Sequence, residues 1–263
     1  MLAEAALYLL LGSVVGLLAG LLGVGGGLII VPVLSALFIA QGMHNEIIMH
    51  LALGTSLASI MATSLSSIYS HQRKSAVLWP SAFRLTPGIL FGAWCGGMAA
   101  SALHSETLKP IFASFELLVA FYMLLGSKPD SHRKDISALR YSTSGGIIGF
   151  ISSIVGIGGG TLTVPWLVWH GNSIHKAIGT AAAVGFPIAL AGALSFLYAG
   201  WHHASLPNHA VGFIYLPALL GIITSSILCA PLGAALAHRL DVARLKKIFA
   251  LLLMALSAYL FLS

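Results

Sequence analysis

Two short glycine runs carry the clearest chemical signal in this sequence: Gly23-Val24-Gly25-Gly26-Gly27 and Gly156-Ile157-Gly158-Gly159-Gly160. Each precedes an apolar segment that contains a proline, Pro32 or Pro165. A helix starting just after such a run points unbonded N–H groups and the positive end of its dipole at the space before it. That end suits an anion, and glycines let a ligand approach the backbone closely. Gly25, Gly26, Gly27, Gly158, Gly159 and Gly160 are therefore candidate ligand residues, with Thr161 as an adjoining hydroxyl. The plainer reading of membrane glycines is tight helix packing. It fits Gly12, Gly16, Gly20 and Gly88, Gly92, Gly96, spaced four apart in each set. Neither run is a dinucleotide fingerprint, because GxGxxG would need glycine at Leu28 or Thr161.

A second pair of matched positions could complete such a site. His50 and Gly54-Thr55 recur as His175 and Gly179-Thr180, so an imidazole and a hydroxyl stand at equivalent places. Neutral histidine donates one hydrogen bond, and the charged form adds attraction for an anion. The alternative is that these histidines pack or sit at an interface, as His175 beside Lys176 near a segment end suggests. Ser56 has Ala181 as its counterpart, so the matching is incomplete. Glu116 lies in the middle of an apolar stretch, and an intramembrane carboxylate is by default a functional hypothesis, here proton or cation coupling. A structural partner or an interfacial position is the competing reading. Arg84 can capture an anion or snorkel to the nearby surface. His202, His203 and His209 lack a tight ligand spacing and are expected in water, so no metal site is expected.

The elements that must position these residues follow from a shortage of charge. Of 263 residues, 58% are hydrophobic and 8% are charged. A soluble domain carries roughly 25%, so the chain is a polytopic membrane protein with room for up to about ten segments. Cys95 and Cys229 lie in apolar runs and form no CxxC, which excludes a disulfide framework or a cysteine metal site. The start, MLAEAALYLLLG, has no Lys or Arg before its apolar stretch and does not read as a cleavable signal.

The chain also repeats itself. Residues 20–34 (GLLGVGGGLIIVPVL) match 153–167 (SIVGIGGGTLTVPWL) at seven of fifteen positions. HLALGT at 50–55 matches HKAIGT at 175–180, and 103–125 matches 240–262 through Ile111-Phe112-Ala113 with Ile248-Phe249-Ala250 and Tyr122 with Tyr259. Two copies of one unit are thus expected, over residues 1–126 and 141–263, joined by a polar linker at 127–140. Apolar runs place segments at 5–22, 28–41, 47–70, 78–103 and 108–126, then at 142–157, 161–171, 174–199, 211–238 and 248–262. The run 161–171 reaches only about 17 Å at 1.5 Å per residue, too short for a ~30 Å core. So 5–41 and 142–171 read as helix pairs broken at the glycine runs, which either cross twice or enter and turn back.

Charge then sets the orientation. With the linker in the cytoplasm and an odd number of crossings per half, twelve of the thirteen Lys and Arg fall inside and Lys109 alone falls outside. Counting 142–171 as one span gives 7:6 instead, so the positive-inside rule prefers the first arrangement. It makes the halves inverted repeats with both termini outside. Inverted repeats around broken helices are a transporter signature.

GLLGVGGGLIIVPVL, SIVGIGGGTLTVPWL and AIGTAAAVGFPIALAGALSFLYAG at 177–200 resemble the TauE/SafE sulfite-exporter family, also described as the 4-toluene sulfonate uptake permease family. The resemblance extends over essentially the whole chain. It implies a bacterial inner-membrane permease of seven or eight spans for sulfite, sulfoacetate, other sulfonates or related small anions.

The fold class expected is an all-α polytopic membrane protein built from two inverted repeats with broken Gly-rich helix pairs. The expected function is export of sulfite or an organosulfonate by alternating access around a midplane site. A proton-coupled or metal-cation transporter using histidines and Glu116 is the alternative. No GxSxG, HExxH or paired intramembrane carboxylates point to an enzyme. The expected partners are a small anion, the bilayer and a second copy of the chain as a homodimer, with no nucleic acid and no cofactor.

Overall fold

The computed structural model describes residues 2–22, 25–125, 137–236 and 242–262. Most of the linker 127–140 lies outside these residues, as do Gly23, Val24, Lys128, Arg133, Lys134 and Arg239, and the side chains of Arg244 and Lys246. Among the described residues there are ten helices and one two-stranded hairpin. The helices are α1 (Leu2–Leu22), α2 (Gly27–Ala40), α3 (Ile48–Gln72), α4 (Trp79–Ser101), α5 (Ser105–Leu125), α6 (Ala138–Ile154), α7 (Gly160–Trp169), α8 (Ile174–Gly200), α9 (Leu216–Leu236) and α10 (Val242–Leu262). The all-α membrane class expected above is the one observed. Five helices, α1, α3, α5, α8 and α9, are long and apolar enough to cross a bilayer.

Both helix pairs break where the glycine runs predict. Chain α1–α2 breaks before Gly27, α6–α7 breaks before Gly160, and these two glycines are equivalent positions in the repeat. Gly25 and Gly26 supply the left-handed backbone of the first break, with φ of 78° and 79°. Gly156, at φ 62°, does so for the second. Such irregular backbone is tolerated at membrane depth only inside protein, and Gly156 to Gly160 are all buried.

α3 and α8 form the centre. Of their apolar windows, 83% and 78% of residues are buried, against 33% for α5 and for α9. The two run antiparallel: Gly54 lies against Phe196, Leu57 against Gly192 and Ser64 against Gly185. Around them the outer helices show Phe83, Phe91, Leu118, Ile147, Leu220 and Leu251 on their exposed faces, the surface that lipid would cover.

Packing between the two halves is reciprocal. α1 packs on α9 while its repeat counterpart α6 packs on α4, and α5 packs on its own counterpart α10. Small residues make these approaches possible, because lipid offers no apolar driving force and van der Waals fit must serve instead. A side chain at Gly12 or Gly16 would stand 2.7 Å from the Cα of Ile222 or Ser226 in α9. Gly88, Gly92 and Gly96 meet Ser142, Gly146 and Phe150 of α6 in the same way. Packing is thus the role of Gly12, Gly16, Gly88, Gly92 and Gly96.

One segment departs from the sequence expectation. The run 211–238 is not all helix: Ala210–Val211 and Ile214–Tyr215 pair as antiparallel strands β1 and β2, and α9 starts only at Leu216. Gly212, at φ 55°, supplies the positive φ that a two-residue hairpin turn needs at its first position.

Candidate functional site

The two helix breaks meet. A side chain on Gly25 would stand 3.0 Å from the Cα of Gly158, and one on Gly27 would run into the carbonyl of Gly156 and lie 2.8 Å from the Cα of Ile157. Beside this contact is a small cavity of about 10 Å³, about the room one water needs. Gly25, Gly158 and Gly159 line it from the loops, Thr63, Ser64 and Ser67 from α3, and Ala181, Ala182 and Gly185 from α8.

The cavity's lining is polar without charge. Gly159 is the N-cap of α7, so the first N–H groups of that helix have no intrahelical partner. The Ser67 hydroxyl is buried and has no hydrogen-bond partner among the described residues. Ser64 and Thr63 donate to the carbonyls of Met61 (2.9 Å) and Ser59 (3.0 Å). Thr63 Oγ1 also lies 3.1 Å from Ser226 Oγ of α9. None of the lining residues is Lys, Arg, Asp or Glu. The donors left for an oxyanion, which can only accept, are the Ser67 O–H and the first N–H groups of α7.

The proposed site residues are distributed unevenly around this point. Gly25, Gly158 and Gly159 line the cavity; Gly26, Gly27 and Gly160 belong to the same two breaks. Thr161 stands in the first turn of α7, and its buried hydroxyl has no partner among the described residues. The hydroxyls of Thr55 and Thr180 are directed elsewhere: Thr55 Oγ1 accepts from the Tyr215 N–H, and Thr180 Oγ1 from the Leu78 N–H, both at 2.9 Å. His50 is buried at the start of α3, where its Nε2 lies 2.9 Å from the carbonyl of Leu103. A carbonyl only accepts, so Nε2 carries the proton. Its Nδ1 lies 3.3 Å from Ser105 Oγ. His175, the sequence counterpart, is exposed at the start of α8. The two histidines therefore do not share one environment.

Glu116 is fully buried in α5, and both carboxyl oxygens lack a hydrogen-bond partner among the described residues. Its helix packs chiefly against α10, where the counterpart Leu253 is also fully buried and Ser257 donates to the Ala113 carbonyl at 2.8 Å. Arg84 is exposed, with its guanidinium 5.7 Å from the Tyr141 ring centre. The Ser56 and Ala181 mismatch has a structural reason: Ser56 Oγ donates to the Gly156 carbonyl at 2.8 Å and fastens the second glycine loop.

Sequence reasoning did not single out Thr63, Ser64, Ser67 or Gly185. A signal existed in α3, where Ser56, Ser59, Thr63 and Ser67 recur at three- and four-residue spacing on one helical face.

The pattern of the family described as sulfite exporter TauE/SafE matches residues 8–260. The chain belongs to that family. A Haemophilus influenzae relative, named a probable membrane transporter protein, is 38% identical over 257 residues, covering 97% of each chain. A Methanocaldococcus jannaschii protein with a similar name is 28% identical over 86% of this chain and 84% of its own. A Xylella fastidiosa probable membrane transporter protein is 27% identical over 94% and 91%. No solved structure matches the chain. As a TauE/SafE member the chain is a membrane protein of a transporter family, and the breaks that meet at the cavity fall inside the matched region.

Proposed function

We propose that this chain is a permease that moves sulfite or an organosulfonate outward across a bacterial inner membrane. The observation that carries the reading is the meeting of the two glycine breaks at a cavity with an unpartnered Ser67 hydroxyl and the N-terminus of α7. In this reading the anion is held by backbone N–H groups and the Ser67 O–H, with Gly25, Gly158 and Gly159 admitting its oxygens to the backbone. At about 10 Å³ the cavity is too small for a sulfite ion with four heavy atoms. The conformation is therefore closed, and loading requires the two loops to part. Alternating access supplies that step, with two inverted halves rocking about the cavity and both termini on the outer side. The protein acts by binding and moving its substrate and is not an enzyme.

An inside-negative potential contributes about 2.3 kcal/mol per charge per 100 mV and drives anions outward. Export can then be a uniport, whereas import needs a coupled cation. The buried, unpartnered carboxyl of Glu116 favours a second reading, in which a proton bound there couples to the anion. Purified protein in proteoliposomes with an imposed sulfite gradient tests the first reading. Saturable sulfite flux, abolished by Gly159→Leu and reduced by Ser67→Ala, is the expected result. Equal flux in both variants would sink the proposed site, and flux that moves protons and vanishes in Glu116→Gln would favour the coupled reading.

A further inference from the structure

We propose that the two Gly-Thr pairs, Gly54-Thr55 and Gly179-Thr180, are latches that close opposite ends of the central α3–α8 pair, an inference that rests on the transporter reading above. Each pair combines the same two devices. The glycine has no side chain, so a connecting segment can lie against the helix, and the threonine one residue on accepts that segment's backbone N–H.

At the start of α3 the segment is the hairpin of β1 and β2. The Phe213 carbonyl lies where a side chain on Gly54 would stand, and the Tyr215 N–H donates to Thr55 at 2.9 Å. On the α8 side the Phe213 N–H donates to the Phe196 carbonyl at 3.3 Å. Gly200 and Gly212 allow the hairpin and the end of α8 to touch through their backbones. The buried Phe213 ring fills the space between the rings of His50 and His203, at 4.9 and 5.4 Å. Beyond the hairpin lies an open polar vestibule of about 620 Å³, bordered by Glu4, Gln41, His44, Asn208, His209 and Tyr215. Burial, followed by the Glu4 carboxylate, holds the Tyr215 phenol above its ordinary range, so it stays protonated there. The hairpin thus stands between this vestibule and the interior.

At the start of α8 the segment is the α3–α4 connection. The Ala76 carbonyl lies 2.5 Å from where a side chain on Gly179 would stand, and the Leu78 N–H donates to Thr180 at 2.9 Å. Thr180 spends its own proton on the Lys176 carbonyl at 2.7 Å, which fixes its oxygen as the acceptor for Leu78. Ser75, at φ 51°, turns the segment back onto α8.

Because α3 and α8 run antiparallel, the two pairs lie about 24 Å apart along the helices at 1.5 Å per residue. The cavity lies between them, lined by residues 60–67 of α3 and 181–185 of α8. Each latch crosses the repeat: Thr55 of the first half holds a segment of the second, and Thr180 of the second half holds a segment of the first. Parting the halves therefore breaks one or other hydrogen bond from a backbone N–H to a threonine hydroxyl, and each bond guards one side.

The test is sided accessibility. Cys95 and Cys229 are replaced by serine and Ser67→Cys is introduced as a reporter in the cavity. Right-side-out and inside-out vesicles are then treated with a membrane-impermeant methanethiosulfonate. Thr55→Val, which keeps the shape and removes the acceptor, is expected to raise the labelling rate at least tenfold from one face only. Thr180→Val is expected to do so from the opposite face only, and Thr→Ser at each site restores protection. Unchanged labelling in both variants, or a rise from the same face or from both faces, overturns the proposal. Where a valine variant does not fold, Gly54→Ala and Gly179→Ala, whose Cβ displaces the segment from its threonine, must give the same one-sided pattern. The readout needs no substrate, so an intact pattern without sulfite flux would refute the substrate reading and leave the latches standing.

Discussion

If the two glycine breaks touch, adding one methyl group at the contact must cost more than the same methyl on a free glycine. Gly25 and Gly42 make this comparison, since both have a left-handed backbone, with φ of 78° and 70°. An alanine in that region costs about 1–2 kcal/mol wherever it stands. A Cβ on Gly42 meets nothing within 4 Å, so Gly42→Ala bears only that cost. A Cβ on Gly25 would stand 3.0 Å from the Cα and 3.3 Å from the nitrogen of Gly158, backbone atoms that cannot swing aside. Overpacking of this kind adds about 1–3 kcal/mol, which puts Gly25→Ala at about 2–5 kcal/mol. At about 2–4 °C per kcal/mol for a chain of this size, Gly25→Ala should melt at least about 2 °C below Gly42→Ala. Thermal unfolding of both purified variants in the same detergent, followed by intrinsic fluorescence, measures the difference. Equal melting points, or a lower one for Gly42→Ala, would refute the contact and with it the cavity between the breaks.

Glu116→Leu should raise the melting point by about 2 °C or more, because an unpartnered buried polar group costs about 1–3 kcal/mol and fully buried Leu253 shows that a leucine suits the equivalent position. If the carboxyl carries a coupled proton, Glu116→Gln should also remove the pH dependence of flux in proteoliposomes, and an unaltered profile would exclude that role. Reporter fusions after residues 205 and 243 should report opposite faces of the membrane, the first outside, and the same face for both would contradict the inverted halves. Ser67→Ala should not lower the melting point, since the buried hydroxyl has no partner to lose among the described residues, while weakening sulfite uptake into the site in a flux titration.

Much of the framework was legible because glycine, proline and charge act locally or through the bilayer. The breaks before Gly27 and Gly160 follow from glycine's freedom at positive φ, and the packing of Gly12, Gly16, Gly88, Gly92 and Gly96 from their four-residue spacing. The isolation of Glu116 in an apolar run marked a carboxyl at membrane depth, while its lack of a partner among the described residues became visible only in the fold. The hairpin at 210–215 was hidden because a short apolar strand and the start of a membrane helix look alike in composition.

By itself, then, the sequence determined the membrane class, the family, the two breaks and the repeated Gly-Thr pairs. Tertiary structure alone decided what those pairs do. A threonine hydroxyl accepts equally well from a ligand or from a backbone N–H, so its type and spacing name a capability and not a partner. Only the fold brings the Tyr215 and Leu78 N–H groups, 160 and 102 residues away in the chain, onto Thr55 and Thr180. The same fold leaves the Ser67 hydroxyl unpaired at the cavity between the glycine breaks.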